Sequence, residues 1–284
     1  MMNRINILEQ IISYKKEEIE KNKRDKPVSF LEKQPASTRE IFSMKKMLLD
    51  PEKTGIIAEF KKRSPSKGII NGWSSPEDVT EAYARYGASV ISVLTDGPSF
   101  GGSAADLQSA RFNKLPILRK DFILDPYQIV ESRAMGADAI LLIAACLSVA
   151  ETRSLAATAH QCGMEVLLEI HQEQELDHLC DDVDVVGINN RDLKTFAVDV
   201  ERSIRLAERL PLNKLRIAES GIRDVETILV LKAAGFHGFL IGEQFMSAAD
   251  PAIAFATFVD QFKNKLYENK GLRHDATRPG KEAR

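Results

Sequence analysis

The sequence contains no apolar run approaching the roughly 18 residues needed to cross a bilayer, so it predicts no membrane partner. Its formal net charge is only −2, and no basic field predicts binding to nucleic acid. The three cysteines lack CxxC spacing, which favours reduced thiols in a cytoplasmic protein over a disulfide framework or a zinc site. Residues 1–25 carry acidic side chains, unlike a signal or transit peptide.

Histidine is scarce too, and none of the five shows the carboxylate–histidine spacing of a metal site. We therefore expect no metal, and we place all five histidines at the surface or in supporting positions. The sequence also lacks a GxGxxG motif after the first predicted strand, which weakens a doubly wound open sheet as the fold. The histidines are His160, His171, His178, His237 and His274.

Residues 1–50 have a helical pattern and predict an extension that packs on the main domain. Its first helix ends in the charged run Lys15–Lys21, which we interpret as a solvated face. A second short helix is predicted over about 38–49. At the other end of the chain, residues 267–284 are charged without hydrophobic period and predict a disordered tail.

From Ile56 onward, short apolar runs alternate with helical patterns. Strand–helix alternation implies parallel pairing with right-handed crossovers, and eight such units fit a closed (β/α)8 barrel over residues 51–266. The predicted strands are 56–60, 89–94, 115–119, 137–143, 164–169, 184–188, 214–218 and 237–241. The predicted helices are 76–86, 104–112, 126–135, 148–161, 172–180, 199–209, 224–234 and 251–265.

Polar side chains follow most of these strands at their C-terminal ends, where barrel enzymes place their chemistry. In a closed barrel these ends converge on one mouth, so we favour an active site over scattered surface charge. The side chains in question are Glu59 and Lys61, Thr95 and Asp96, Arg119 to Asp121, Glu169, Asn189 to Asp192, Glu219 and Ser220, and Glu243.

The chemistry that these groups suggest is acid–base work on an anionic small molecule. Lys61 and Lys120 would face each other across the mouth, where burial and mutual repulsion would lower the pKa of one ammonium. The nearby carboxylates oppose that shift, so which lysine is poised is left open. Glu169 follows an apolar strand, and desolvation there would raise its pKa and suit it to proton transfer, with structural charge balance as the alternative.

A phosphate site is predicted at the loops after strands 7 and 8, where barrels often bind phosphate. Gly221 and Gly242 would let the backbone approach the oxygens, and Ser64 would add a hydroxyl. Tight turns that merely need glycine are the alternative. Phe100 and Phe122 could wall an apolar pocket for a ring, whereas Phe60 would point into the core, away from its neighbours Glu59 and Lys61.

Six stretches resemble the indole-3-glycerol-phosphate synthases of tryptophan biosynthesis, in the expected order between about residues 4 and 265. That family also carries a helical extension before its barrel. The stretches are 57–68 (IAEFKKRSPSKG), 91–95 (ISVLT) with 100–103 (FGGS), 118–123 (LRKDFI), 187–193 (GINNRDL), 218–222 (AESGI) and 240–243 (LIGE).

The resemblance implies that 1-(2-carboxyphenylamino)-1-deoxyribulose 5-phosphate undergoes ring closure, decarboxylation and dehydration, without cofactor or metal. It makes Lys120 the acid of closure and Glu169 the base of dehydration. Lys61 would hold the substrate carboxylate, or act as acid in the dehydration, and Glu59 would position it. The resemblance further implies substrate contacts and a charge network from Asn189, Arg191, Glu219 and Ser220, and phosphate contacts from Ser64, Gly221, Gly242 and the backbone N–H of Glu243.

Two rival functions remain at this point. A phosphoribosylanthranilate isomerase would need a Cys/Asp pair at strand ends 1 and 6, and no cysteine follows the first strand. A barrel that binds a partner without catalysis is the second. One departure from the family pattern is Ser99, which stands where an aromatic residue is common. Oligomeric state is not readable, and a monomer is our expectation.

Overall fold

The computed structural model of the protein describes residues 7–192 and 197–269. A closed barrel of parallel strands forms its centre, with neighbours in the order β1-β8-β7-β6-β5-β4-β3-β2. Each predicted strand is present, with ends shifted by at most two residues. The strands are β1 Ile56–Phe60, β2 Val90–Leu94, β3 Ile117–Lys120, β4 Ala139–Ile143, β5 Glu165–Ile170, β6 Val185–Asn189, β7 Leu215–Glu219 and β8 Gly238–Ile241.

Helices surround the barrel and precede it. Four of these helices carry a proline in their first turn. Proline lacks a backbone N–H, and this costs nothing there because the first N–H groups of a helix have no partner within the helix. The helices are α1 Ile7–Asp25, α2 Val28–Leu31, α3 Met44–Leu49, α4 Pro76–Tyr86, α5 Gly97–Phe100, α6 Ala104–Ala110, α7 Pro126–Met135, α8 Val149–Gln161, α9 Val200–Ala207, α10 Val225–Ala233, α11 Glu243–Met246 and α12 Pro251–Asn269. Single 3₁₀ turns cover Pro35–Thr38, Ala144–Cys146 and Glu173–His178.

Strand periodicity sorts each strand's side chains into two hydrophobic clusters. On β1, Ile56, Ala58 and Phe60 join the layer between strands and helices, whereas Ile57 joins the barrel interior. Glu59 shares the interior face with Ile57, and Phe60 is buried on the opposite face, as predicted. The alternation therefore aims the polar side chain at the end of β1 into the mouth.

Helix α3 closes the other end of the barrel. Met44 and Leu48 are buried within the interior cluster, together with Ile57 and Ile217. The Ser43 hydroxyl caps the helix by accepting from the backbone N–H of Lys46. The N-terminal end of the barrel is thus filled by side chains in the part of the chain that the structure describes.

The structure corrects several predicted boundaries. The segment 172–180 forms a 3₁₀ turn, Glu173–His178, rather than an α-helix. The short helix expected over 38–49 begins only at Met44. Helix α12 continues to Asn269, so residues 267–269 of the expected tail are helical. The rest of that tail, together with His274, lies outside the described residues. Leu193, the last residue of the family motif at 187–193, lies outside them too. None of the helices in the described ranges is both long and apolar enough to span a membrane.

Candidate active site

A cavity of about 720 Å³ opens at the C-terminal ends of the strands. Four polar side chains expected at the mouth are buried outside the cavity lining: Thr95, Asp96, Arg119 and Asn190. Every residue with a predicted catalytic, substrate-binding or phosphate-binding role lines the cavity, because the parallel strands bring their carboxyl ends to one mouth. The structure thus brings these side chains together, whereas their individual roles stay predictions. They are Glu59, Lys61, Ser64, Phe100, Lys120, Phe122, Glu169, Asn189, Arg191, Glu219, Ser220, Gly221, Gly242 and Glu243.

Lys120 lies between two carboxylates at the centre of the cavity. Its Nζ is 2.8 Å from Oε2 of Glu169 and 2.7 Å from Oε2 of Glu219. Burial alone would lower the pKa of Lys120, but the two carboxylates outweigh burial and raise the pKa above its usual range. The sequence left open which lysine has a lowered pKa, and the structure excludes Lys120, because the carboxylates oppose the shift as anticipated. In the resting site Lys120 is therefore a charged ammonium.

Both carboxylate oxygens of Glu169 contact neighbouring side chains. Lys120 contacts Oε2, while the Asn189 amide donates to Oε1 at 3.2 Å and the His171 Nε2 lies 3.3 Å from the same oxygen. Burial would raise the pKa of Glu169, as the sequence predicted, but Lys120 and His171 outweigh burial and hold the pKa well below its usual range. The predicted rise in the pKa of Glu169 is therefore wrong. Lys120 comes from another strand, β3, and His171 lies just beyond the end of β5.

Glu219 shows the raised pKa instead. Burial and the like charge of Glu169 outweigh the attraction of Lys120 and raise its pKa to about 7. Its second oxygen, Oε1, is buried without a hydrogen-bond partner among the described residues. A Cβ at Gly187 on the neighbouring strand would lie 2.0 Å from that oxygen. Gly187 therefore provides the space in which the Glu219 carboxyl sits.

The β1 pair behaves as predicted from its spacing of two residues. The Lys61 Nζ lies 2.6 Å from Oε1 of Glu59, and both side chains face the cavity. Glu59 is 3% exposed, so its carboxylate depends on Lys61 for a partner. A Cβ at Gly242 would lie 2.5 Å from the same Glu59 oxygen, which ties the loop after β8 to this pair.

The phosphate prediction falls on a cationic end of the cavity. Ser220 and Gly221 follow β7 with φ of 67° and 72°, a left-handed turn that is costly for the serine. The Glu243 carboxylate pairs with Lys67 at 2.7 Å and approaches Arg191 at 3.7 Å. Lys67 and Arg223 also line the cavity, and neither is predicted from the sequence as a site residue.

Apolar side chains cover the other side of the cavity. The rings of Phe100 and Phe122 have centroids 6.2 Å apart. Ile7, Leu8 and Ile11 of α1 also line the cavity. The helical pattern of residues 1–50 does not reveal this contribution, because it predicts only that the extension packs on the main domain.

Lys15 on α1 contradicts the interpretation of Lys15–Lys21 as a solvated run. The side chain is fully buried, with its Nζ 3.0 Å from both Asp96 and Asp121. The neighbouring Tyr14 hydroxyl donates to Asp96 at 2.7 Å and lies 3.1 Å from Ser99, so α1 brings an aromatic side chain to the serine that departs from the family pattern. Lys15 lies four residues from Ile11 and from Ile19, and this spacing signals the buried face.

The sequence predicts a surface or supporting position for His171, and the structure places it in the cavity wall between two carboxylates. It is 9% exposed, with Nδ1 3.7 Å from Oε2 of Glu175 and Nε2 3.3 Å from Glu169. Burial would lower its pKa, but the two glutamates outweigh burial and raise the pKa to about 9. The signal in the sequence is its position two residues after Glu169.

Comparison with known proteins supplies the family. The profile described as "Indole-3-glycerol phosphate synthase" matches residues 8–258. The chain belongs to the indole-3-glycerol phosphate synthase family. A relative of that name from Bacteroides thetaiotaomicron is 45% identical over 89% of this chain and 97% of its own length. Another from Chromobacterium violaceum is 47% identical over 72% of this chain and 78% of its own length. The resemblance found from the sequence motifs is thereby confirmed.

Solved structures confirm the fold of this indole-3-glycerol phosphate synthase family member. The 3-hexulose-6-phosphate synthase from Salmonella typhimurium superposes with a TM-score of 0.59 at 12% identity, covering 74% of this chain and 98% of its own. A mutant tryptophan synthase α-subunit from Pyrococcus furiosus gives 0.56 at 14% identity, covering 75% and 99%. Family membership makes the chain a carboxy-lyase of tryptophan biosynthesis, as expected, and argues against the isomerase alternative.

Proposed function

We propose that the residues of this cavity divide the synthase reaction between Lys120, which acts in ring closure, and Glu169, which acts in dehydration. The substrate is 1-(2-carboxyphenylamino)-1-deoxyribulose 5-phosphate, the compound implied by the family reaction. The observation that carries the proposal is the placement of the buried Lys120 ammonium between Glu169 and Glu219. Two carboxylates keep this acid charged in a cavity that also offers room for an aromatic ring.

Ring closure requires an electrophilic carbonyl. Lys120 donates a proton to the C2′ oxygen while the ring carbon that bears the carboxylate supplies the electron pair for the new C–C bond. The C–CO2 bond then breaks, and its electron pair restores the aromatic ring as CO2 leaves. Lys61 holds the substrate carboxylate until that step, and Glu59 fixes the Lys61 ammonium at 2.6 Å.

Dehydration removes the oxygen that Lys120 has protonated. Glu169 takes a proton from C1′, and the electron pair of that C–H bond forms the indole double bond between C1′ and C2′. The C2′–O bond breaks at the same time, and the hydroxyl leaves as water after protonation by an ammonium, for which Lys61 is placed. Asn189 holds Oε1 of Glu169 at 3.2 Å and so fixes the direction of the base. Glu219 shares Lys120 with Glu169 and supports the charge network.

The substrate phosphate fits the cationic end of the cavity. Ser64, Gly221, Gly242 and the backbone of Glu243 border it, and Arg191 lines the adjoining wall. Phe100 and Phe122 then border the aromatic ring on the opposite, apolar side. This polarity orients the substrate with its ring beneath α1 and its phosphate at the loops after β7 and β8.

Indole fluorescence during turnover tests the assignment. Lys120→Met should lower kcat by about three orders of magnitude, because general acid catalysis contributes roughly 10²–10⁴. Lys214→Met is the matched control: this half-buried lysine bonds the carbonyls of Cys180 and Val183, away from the cavity. Little loss in Lys120→Met would refute the role of Lys120. No signal from the folded wild type would favour the non-catalytic barrel.

The remaining expectations extend the proposal. The proposed steps use lysine and glutamate side chains and call for no cofactor or metal. No cluster of three metal-ligating side chains occurs within residues 7–192 and 197–269. We also propose a cytoplasmic, monomeric enzyme, which gel filtration and localisation of the full chain would test; the three cysteines are unpaired, consistent with a reducing compartment.

A further inference from the structure

His171 is the second cation at Glu169, and the proposed chemistry leaves it unused. Its Nε2 lies 3.3 Å from Oε1, the oxygen opposite to the one that Lys120 contacts. Neither ring nitrogen makes a well-aligned hydrogen bond to any residue in the described part of the chain, and both are buried. A buried imidazole beside a carboxylate contributes chiefly through its charge.

The imidazole is itself held in place by Glu175. The Glu175 carboxylate accepts from the backbone N–H of His171 at 2.5 Å and lies 3.7 Å from its Nδ1. This carboxylate belongs to the 3₁₀ turn that follows β5, so the chain folds back over its own strand end. His171 thus sits between a carboxylate that lines the reaction centre and one that anchors the ring.

The other groups around His171 leave this charge pattern intact. The thiol of Cys146, on the 3₁₀ turn after β4, is buried near Glu169 and Glu175, and burial raises its pKa to about 12, so it carries no charge. On β6, Asn189 contributes a neutral amide to Glu169. Lys120 on β3 reaches Glu169 from the opposite side. At neutral pH the imidazolium faces carboxylates on both sides.

Lys120 cannot hold Glu169 throughout the reaction that we propose. Once Lys120 has given one proton to the C2′ oxygen, it is a neutral amine, and Glu169 has lost that positive charge. A buried carboxylate without a cation tends to take up a proton, and a protonated Glu169 cannot act as a base. A cation that keeps its proton is needed at the other oxygen.

We propose that His171 is a positioning residue that holds Glu169 as an oriented carboxylate through Oε1 while Lys120 is deprotonated. The imidazolium transfers no proton in this role and remains charged throughout. The inference rests on the proposed function of Glu169, although the charge coupling itself can be measured without turnover.

Carbon-13 NMR of labelled glutamate carboxyls tests the coupling, with the Glu169 signal identified by its loss in Glu169→Gln. In His171→Gln the titration midpoint of Glu169 should rise by about one to three pH units, as expected for losing an opposite charge at this distance. His171→Lys should retain a low midpoint. His178→Gln is the matched control, because His178 is buried on the same turn but bonds Thr152, away from the cavity.

A reciprocal measurement leaves His171 in place. Nitrogen-15 NMR of the imidazole should show its pKa falling from about 9 toward its ordinary value of 6.5 in Glu169→Gln. Turnover gives the third readout: in His171→Gln, kcat at pH 6 should fall about tenfold with KM little changed, and its acid limb should follow the Glu169 midpoint.

The outcomes separate the two proposals. An unchanged Glu169 midpoint in His171→Gln, or an equal rise in His178→Gln, would overturn the inference. A rise confined to His171→Gln supports it, whatever the rate does. If Glu169→Gln itself keeps full activity, the proposed role of Glu169 as base fails, while the NMR result still decides the role of His171.

Discussion

Lys15 of α1 lies 3.0 Å from Asp121, the residue that follows Lys120 at the end of β3. The same ammonium lies 3.0 Å from Asp96, which follows β2. One buried cation of the extension therefore joins two loops of the catalytic mouth. Because Ile7, Leu8 and Ile11 of the same helix line the cavity, this contact links the part of the cavity wall formed by α1 to the strand that carries Lys120.

Replacing Lys15 by Met should leave Asp96 and Asp121 buried without their shared cation. Breaking a buried ion pair by removing one partner costs about 3–5 kcal/mol, so we expect a comparable fall in the free energy of unfolding. Urea denaturation measures it. Lys16→Met is the control, since Lys16 is exposed on the same helix. Equal stability of the two variants would contradict the anchoring role of Lys15.

Glu169→Gln should separate the two halves of the reaction. The amide keeps the shape of the side chain but cannot accept the proton of the dehydration step. We expect CO2 release in a single turnover to continue, while indole formation slows by about 10²–10⁴. Radiolabelled CO2 and indole fluorescence, followed in the same sample, measure the two steps. If both slow equally, Glu169 acts before decarboxylation and our assignment is wrong.

Gly187→Ala should damage the site from the neighbouring strand. The added Cβ would lie 2.0 Å from Oε1 of Glu219, so the carboxyl and Lys120 must shift together. Displacing a reacting group by about 1 Å can cost roughly 100-fold in rate, and overpacking costs about 1–3 kcal/mol in stability. Steady-state kinetics and urea denaturation measure these effects. Gly72→Ala is the control, because its Cβ would meet only Ile69 at 3.7 Å; similar kinetics in both variants would argue against this packing.

Glu219 should make the folded protein less stable as the pH rises. Its pKa is about 7 in the folded protein and ordinarily 4.5, so the folded state binds the proton more tightly. The loss develops between about pH 4.5 and pH 7 and amounts to about 3 kcal/mol at most. Urea denaturation at several pH values should show that Glu219→Gln lacks this loss. A constant difference between variant and wild type would refute the raised pKa.

The barrel could be read from the sequence because its signals are local. Each strand is a short apolar run, and strand periodicity alone placed Glu59 and Lys61 on one face and Phe60 on the other. The segment predicted as a helix over 172–180 forms a 3₁₀ turn, in which the Glu175 carboxylate accepts from the backbone N–H of His171 at the strand end. No periodicity reports such a side-chain contact.

The sequence could show which charged residues lie at the mouth of the barrel, but not which of them form ion pairs with one another. Lys120 and Glu219 are 99 positions apart, and their 2.7 Å contact, together with that of Glu169, raises the pKa of a lysine whose pKa the sequence left open. Lys15 looked like one more surface charge because its partners follow β2 and β3, far along the chain. Burial was foreseen for Glu169, whereas the identity of each charged neighbour required the closed barrel.

Helix α3 fills the N-terminal end of the barrel with Met44 and Leu48, so within the described residues the cavity opens at the C-terminal ends of the strands. Substrate, CO2, water and product must all pass through that opening. CO2 forms while the phosphate-bearing intermediate is still in place, and it has to leave past this intermediate and past α1. The closed N-terminal end therefore sets the order of release that we expect: CO2 leaves first, through an entrance that the intermediate partly occupies, and the larger product leaves last.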